Sequence, residues 1–207
     1  MNILRKPFKY SFFNAALFLI GINVAVFFLQ NISSITGYLA MNPLLVLNGW
    51  VWQFVTYMFA HQGMSHLLFN MLALFVFGFE LERYLGSKEF LLYYLLTGTL
   101  AGIFSFVVYV LTGAFYVHLL GASGAIFAIQ LAYACIFPDS VLRIWGIIPM
   151  RAPVLVLVFT ALEIFYSVFG IQNGVAHLTH LAGVGFGALY FVVRWRANPI
   201  KLMLGKR

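Results

Sequence analysis

Apolar residues in this chain come in runs of about 20, separated by short polar or basic intervals, and a run of that length is what a helix needs to cross a hydrocarbon core about 30 Å thick. The runs predict six helices, near 11–29, 62–81, 90–111, 119–137, 153–169 and 174–193. Between the first two, residues 30–60 are amphipathic and carry Asn42-Pro43, Asn48-Gly49, Trp50 and Trp52. Indole rings favour the headgroup level, so this interval reads as an interfacial loop or a partly submerged hairpin. The expected fold is therefore all-α, a polytopic membrane protein of six transmembrane helices in one domain, 1–207.

Composition strengthens this picture. With 63% hydrophobic and 8% charged residues, the chain has too little polar surface to coat a water-soluble domain of 207 residues. The first run follows Arg5, Lys6 and Lys9 and so imitates a signal peptide, but it continues without an evident small-residue cleavage site and is read as a retained helix. A net charge of +7 would raise the question of nucleic acid in a soluble protein; here the cations flank apolar runs, where they set orientation, and nucleic acid is not an expected partner. Arg5, Lys6 and Lys9 precede the first run, Arg83 and Lys88 separate the second and third, Arg143 and Arg151 the fourth and fifth, and Arg194, Arg196, Lys201, Lys206 and Arg207 follow the sixth. These are all 12 Lys and Arg, and the intervals after the first, third and fifth runs have none. By the positive-inside rule both termini face the cytoplasm. Cys135 is the only cysteine, so neither an intrachain disulfide nor a thiolate cluster is possible.

Against this background two polar clusters stand out. Gly121-Ala122-Ser123-Gly124 opens the fourth run, and Ala176-His177-Leu178-Thr179-His180 opens the sixth. Histidine is costly in hydrocarbon, so an imidazole at membrane depth points to function and to a partner. Helix rise places Ser123 about 24 Å from Asp139, His180 about 21 Å from Arg194 and Asn70 about 18 Å from Glu82. All three groups then lie at one level, roughly 6 to 12 Å beneath the outer surface. A serine hydroxyl attacks a carbonyl only when a base takes its proton, and His180 can do this. The resulting oxyanion needs donors in a water-poor site; His66 and Asn70, at i and i+4 on the second run, and the backbone N–H of Ser123 can supply them.

Plainer readings compete. Gly121, Ser123 and Gly124 could simply be small residues that allow close helix packing, and Gly183 and Gly187 form a small-xxx-small pair one turn beyond His180. That packing would itself bring the sixth run, with His180, to the fourth. His61, His66, His177 and His180 could form a metal site, but no HExxH pattern occurs and no carboxylate lies near the imidazoles within the second or sixth run, so no metal or other cofactor is expected. His177 reads as a structural or interface-facing histidine and His61 as lying at the mouth of the second helix, while His118 has no assigned role. Glu163 reads either as the relay residue of a transporter or as a paired or protonated group near water. One acid without matching cations or broken helices is thin support for transport.

Taken together, the motifs resemble those of the rhomboid family of intramembrane serine proteases. The match comprises Gly121-Ala122-Ser123-Gly124, His66-Leu67-Leu68-Phe69-Asn70, and Ala-His-x-x-His-Leu-x-Gly-x-x-x-Gly over 176–187. The resemblance implies Ser123 as nucleophile and His180 as base in a Ser-His dyad, His66 and Asn70 as oxyanion donors, and Phe127 as a ring packed on the imidazole. It selects His180 over His177 because Gly183 and Gly187 follow His180 at the family spacing. It implies a bacterial inner-membrane enzyme acting in the bilayer on transmembrane proteins, single-pass with an exterior N-terminus, or, as the alternative, an inactive client-binding relative. In one respect the chain departs from the pattern: family members commonly have Trp-Arg in the first loop, where this chain has Trp52-Gln53, which puts the anchoring of that loop in question.

Overall fold

The computed structural model describes residues 7–144, 146–169 and 175–206. Arg5, Lys6, Arg207 and the interval around Asn173 lie outside them. The elements are α1 (Ala15–Ile32), α2 (Thr36–Leu39), α3 (Pro43–Leu47), α4 (Gln53–Thr56), a 3-10 turn (Tyr57–Phe59), α5 (Met64–Ala73), α6 (Phe79–Leu85), α7 (Ser87–Leu111), α8 (Ser123–Ile136), strands β1 (Val141–Ile144) and β2 (Ile148–Arg151), α9 (Ala152–Phe169), α10 (Val175–Tyr190) and α11 (Pro199–Met203). A π-helical turn, Leu74–Gly78, joins α5 to α6, and another, Phe191–Trp195, extends α10.

Among the described residues four helices are long and apolar enough to cross a membrane: Ala15–Ile32, Met64–Leu85, Ser87–Leu111 and Ala152–Phe169. The protein is a multi-pass helical membrane protein. The fourth and sixth predicted runs form shorter helices, α8 with 14 residues and α10 with 16. For α8 the reason is local. Residues 119–122 are apolar but not helical: Met41 and Leu119 exchange both backbone hydrogen bonds at 2.9 Å, and Gly121 takes φ +115°, so the helix begins only at Ser123. A second difference lies between the fourth and fifth runs, where β1 and β2 form an antiparallel hairpin that the hydrophobic pattern does not reveal.

α8 is the centre of the bundle. Eleven of its residues are buried, many of them Ala or Gly, and it packs against α7, α9 and α10. Small side chains let neighbouring backbones approach closely, which is how helices associate when lipid and side chain are equally apolar. α9 is more peripheral than α7, burying only Ala152, Leu155 and Val156 among its described residues, and Leu157, Phe165 and Val168 face outward.

The interval 30–60 forms a loop built on the short helices α2, α3 and α4 and the 3-10 turn. Asn42 caps α3 by accepting from Leu45 N at 3.2 Å with Pro43 at the first helical position, a combination suited to a helix start. Gln53, fully buried, holds the loop together: its Nε2 donates to Gly37 O at 3.0 Å and its Oε1 accepts from Asn42 N at 3.0 Å. Trp52 Nε1 donates to Tyr38 O at 3.0 Å, and Trp50 stacks on Tyr38 and on Trp52. A neutral amide thus ties this loop internally where the family pattern has an arginine.

Candidate active site

Ser123 is the first residue of α8, at the point where the non-helical segment 119–122 turns into the helix. Two constraints form that turn. Gly121 N donates to Tyr57 O at 2.9 Å, fixing it to the loop, and the positive φ of Gly121 is one that residues with a Cβ rarely adopt. A Cβ at Gly121 would also lie 2.6 Å from His66 Cε1 and 2.7 Å from Nε2, so glycine is what lets the α5 imidazole lie beside the turn.

α10 reaches Ser123 through its glycines. A Cβ at Gly183 would sit 2.0 Å from Gly124 O, and one at Gly187 would sit 2.6 Å from Tyr93 Oη and 3.2 Å from Ala128 Cα. Gly124 itself leaves room for Ala101 and Thr179. With the backbones this close, His180 Nε2 lies 2.6 Å from Ser123 Oγ. Phe127 stacks on the His180 ring at 4.6 Å between centroids and 9° between planes. The packing reading and the functional reading of these small residues thus describe the same arrangement.

The second-run residues converge on the same place. His66 is half-buried against Gly121, with His61 edge-on to it at 5.1 Å between centroids. Asn70 is buried and its Nδ2 has no hydrogen-bond partner among the described residues. Together with Ser123 it lines a groove of about 580 Å³ walled by Phe69, Val76, Phe127, Gln130 and Phe159, which descends between α5, α8 and α9. An unpaired buried donor costs about 1–3 kcal/mol, so this amide stands ready to donate to an oxygen entering the groove. His118 is exposed.

One feature differs from the expected dyad. Glu163, which the motif pattern leaves unassigned, reaches from α9 to both α10 histidines: Oε2 lies 2.5 Å from His177 Nδ1, and Oε1 lies 3.0 Å from His180 Nδ1. The second contact is close in distance but out of line for a hydrogen bond. His177, read from sequence as structural, is therefore paired with a carboxylate and also packs on Tyr166. The sequence did contain the signal, an acid isolated in an apolar run and two histidines at i and i+3. The acid and the two histidines lie on different helices, α9 and α10, whose pairing the hydrophobic pattern does not encode. Their ligand atoms lie within 4.8 Å of one another, close enough to share a small cation.

A protein-family model described as Rhomboid domain matches residues 48–197, which include every one of these groups. The chain belongs to the rhomboid family. It is 32% identical over 179 residues to the rhomboid protease GluP of Bacillus subtilis, covering 82% of this chain and 33% of GluP. It is 29% identical over 199 residues to the rhomboid protease AarA of Providencia stuartii, covering 83% and 69%. To the rhomboid protease GlpG of Haemophilus influenzae it is 29% identical over 140 residues, covering 68% of each. The chain spans less than half the length of GluP and of a second Bacillus subtilis relative, YdcA, to which it is 42% identical over 100 residues.

Proposed function

We propose that this rhomboid is an intramembrane serine endopeptidase whose nucleophile is Ser123 and whose general base is His180. The observation that carries the proposal is the 2.6 Å separation of Ser123 Oγ and His180 Nε2. In the first step Ser123 Oγ attacks the scissile carbonyl carbon while its proton passes to Nε2, and the carbonyl π electrons move onto oxygen. The oxyanion accepts from Asn70 Nδ2, from the His66 ring and from the Ser123 backbone N–H, which the helix dipole favours. Collapse of the tetrahedral intermediate expels the amine, which takes the proton from His180 and leaves an acyl-serine. Water, deprotonated by the same imidazole, then releases the acid and restores Ser123.

The substrates that fit are transmembrane segments of other proteins. A peptide bond inside a helix is shielded by its own backbone hydrogen bonds, so a client must unwind locally before its carbonyl reaches Ser123. Clients with Gly, Pro or polar residues near a small residue such as Ala meet this need most easily. With all basic residues on one side, the site faces the exterior half of a bacterial inner membrane and both termini face the cytoplasm, which favours single-pass clients with an exterior N-terminus.

Fluorophosphonate labelling tests the reading. Purified wild-type protein should label at Ser123 and cleave a model transmembrane client with an Ala-Gly break, and Ser123→Ala should do neither. An unlabelled wild type would indicate the inactive, client-binding alternative.

A further inference from the structure

We propose that Glu163 is a positioning residue for His180, turning the dyad into a Ser123–His180–Glu163 relay that His177 holds in place. This inference rests on the protease reading above and goes beyond it by adding a third, acidic member.

Three observations converge. His180 has both ring nitrogens engaged in distance, Nε2 with Ser123 Oγ at 2.6 Å and Nδ1 with Glu163 Oε1 at 3.0 Å. The carboxylate has its own second partner, His177 Nδ1 at 2.5 Å on Oε2, so its orientation is fixed from the far side. And these groups are largely withdrawn from solvent, with side-chain exposures of 18% for His180, 14% for Glu163 and 9% for His177. Solvent screening is reduced there, so the anion acts more strongly than it would at the surface.

The chemistry follows from the tautomers of imidazole. To take a proton from Ser123, Nε2 must be bare, so Nδ1 must carry the ring proton. A carboxylate beside Nδ1 favours that tautomer, because it accepts from N–H and repels a bare nitrogen. When the Ser123 proton arrives at Nε2 the ring becomes a cation, and Glu163 stabilises it without being protonated. His177 donates to Glu163 from its own Nδ1, which keeps the carboxylate turned toward His180. The 3.0 Å contact needs only a modest ring rotation to become a directed hydrogen bond, and catalytic hydrogen bonds are often poorly aligned until substrate is bound. Phe127, stacked parallel to the ring, allows such in-plane rotation while blocking tilt.

A shared cation on Glu163, His177 and His180 is the competing use of the same atoms. The His177 Nδ1–Glu163 Oε2 distance of 2.5 Å favours the relay, since it is the spacing of a direct hydrogen bond and brings the two atoms closer together than ligands of a shared cation sit.

The test compares wild type with Glu163→Gln, Glu163→Asp and His177→Gln in detergent, using fluorophosphonate as the probe of serine reactivity and the Ala-Gly model client for turnover. Glutamine keeps shape and can present an N–H to Nδ1, which stabilises the wrong tautomer. Glu163→Gln should slow labelling and lower kcat by about 10- to 1000-fold with KM within about two-fold, while thermal stability stays near wild type. Glu163→Asp should recover part of the loss, and His177→Gln should show a smaller loss of the same kind. In protein labelled with 15N-histidine, His180 should carry its proton on Nδ1 in wild type and shift toward the Nε2–H tautomer in Glu163→Gln. If Glu163→Gln fails to fold, Glu163→Asp and His177→Gln decide by the same kcat and 15N readouts. Labelling and kcat within two-fold of wild type in the folded variants would overturn the relay while leaving the dyad in place. So would EDTA activation of wild type reversed by equimolar zinc, since the three groups would then be holding a cation. Failure of the wild type itself to label would instead reject the protease reading.

Discussion

Glu89 and Glu163 are both carboxylates drawn into the helix bundle, and the fold surrounds them in opposite ways. Glu89, 2% exposed at the basic end, accepts from Phe8 N, Tyr190 Oη, Arg194 Nε and Nη2, and Trp195 Nε1 at 2.6–3.2 Å. Nearby, Glu82 accepts from Ala15 N at 2.6 Å and Ala16 N at 2.9 Å, pairing two of the free N–H groups at the start of α1, and also from Ser87 Oγ. At the opposite end Glu163 meets two imidazoles, one of them out of line, and Asn70 Nδ2 is buried without a partner. A fully satisfied network in low dielectric rigidifies; a partly satisfied one costs stability and keeps groups available for a substrate. The basic end therefore locks the termini of α1, α7 and α10, and the other end holds the groups proposed to carry the chemistry.

The widest separation between the two ends should appear with Ser123→Ala and His180→Ala. Each should reduce client cleavage by about 10⁴-fold or more, and the double variant should be no worse than either, because the two groups act as a unit. Thermal unfolding in detergent should move by no more than a degree or two. A collapse of the midpoint in either variant would mean that the serine and histidine carry structural weight, which would erase the contrast.

Glu89→Gln is the mirror experiment. The change removes the charge of one partner of a buried ion pair with Arg194, and breaking such a pair costs about 3–5 kcal/mol. The midpoint should fall markedly, whereas fluorophosphonate labelling per folded molecule should stay at the wild-type rate. Lost labelling at full folding would show that the basic end reaches the site.

The contrast was half legible in the sequence. Ser123, His180, His66 and Asn70 could be picked out because each is polar in an apolar run at one depth, and helix rise alone sets depth. Glu163 and His177 were visible as oddities, but depth does not tell which helices touch, and α9 meets α10 through packing that hydrophobic runs do not specify. The start of α8 at Ser123 was missed by four residues for a related reason: residues 119–122 are apolar enough for helix, and it is bonds to a distant loop, Met41–Leu119 and Gly121 N to Tyr57 O, that keep them out of it. Gln53 was read as a departure because its partners are backbone groups of 37, 38 and 42, and a sequence pattern carries no record of them.

A smaller effect, of opposite sign in stability and activity, is expected at Asn70. Loss of an oxyanion donor typically lowers kcat by about 10²- to 10³-fold, or roughly 3–4 kcal/mol of transition-state stabilisation. Asn70→Ala should show that loss with KM little changed. Because the amide Nδ2 is buried and unpaired, its removal should leave the unfolding midpoint unchanged or raise it slightly. Near wild-type kcat would make Asn70 a packing group; a large drop in midpoint would place it in a satisfied network after all.

The smallest effect should come from the loop that links the two kinds of region. Gln53→Leu keeps the volume but strands Asn42 N–H and Gly37 C=O in a buried setting, at a cost of about 1–3 kcal/mol. Asn42 follows Met41, whose pairing with Leu119 lies two residues before Gly121, so a disturbed loop has a route to the Ser123 turn. That turn has a second anchor in the Gly121 N to Tyr57 O bond, which Gln53 does not touch. Gln53→Leu should therefore lower the midpoint while fluorophosphonate labelling per folded molecule falls by no more than about three-fold. Gln53→Arg sharpens the point: a guanidinium can donate to the Gly37 and Tyr38 carbonyls but cannot accept from Asn42 N. It should recover part of the stability, with full recovery pointing to a rearranged loop. A hundred-fold loss of labelling in folded Gln53→Leu would mean that the loop, rather than the Tyr57 anchor, holds the serine in place.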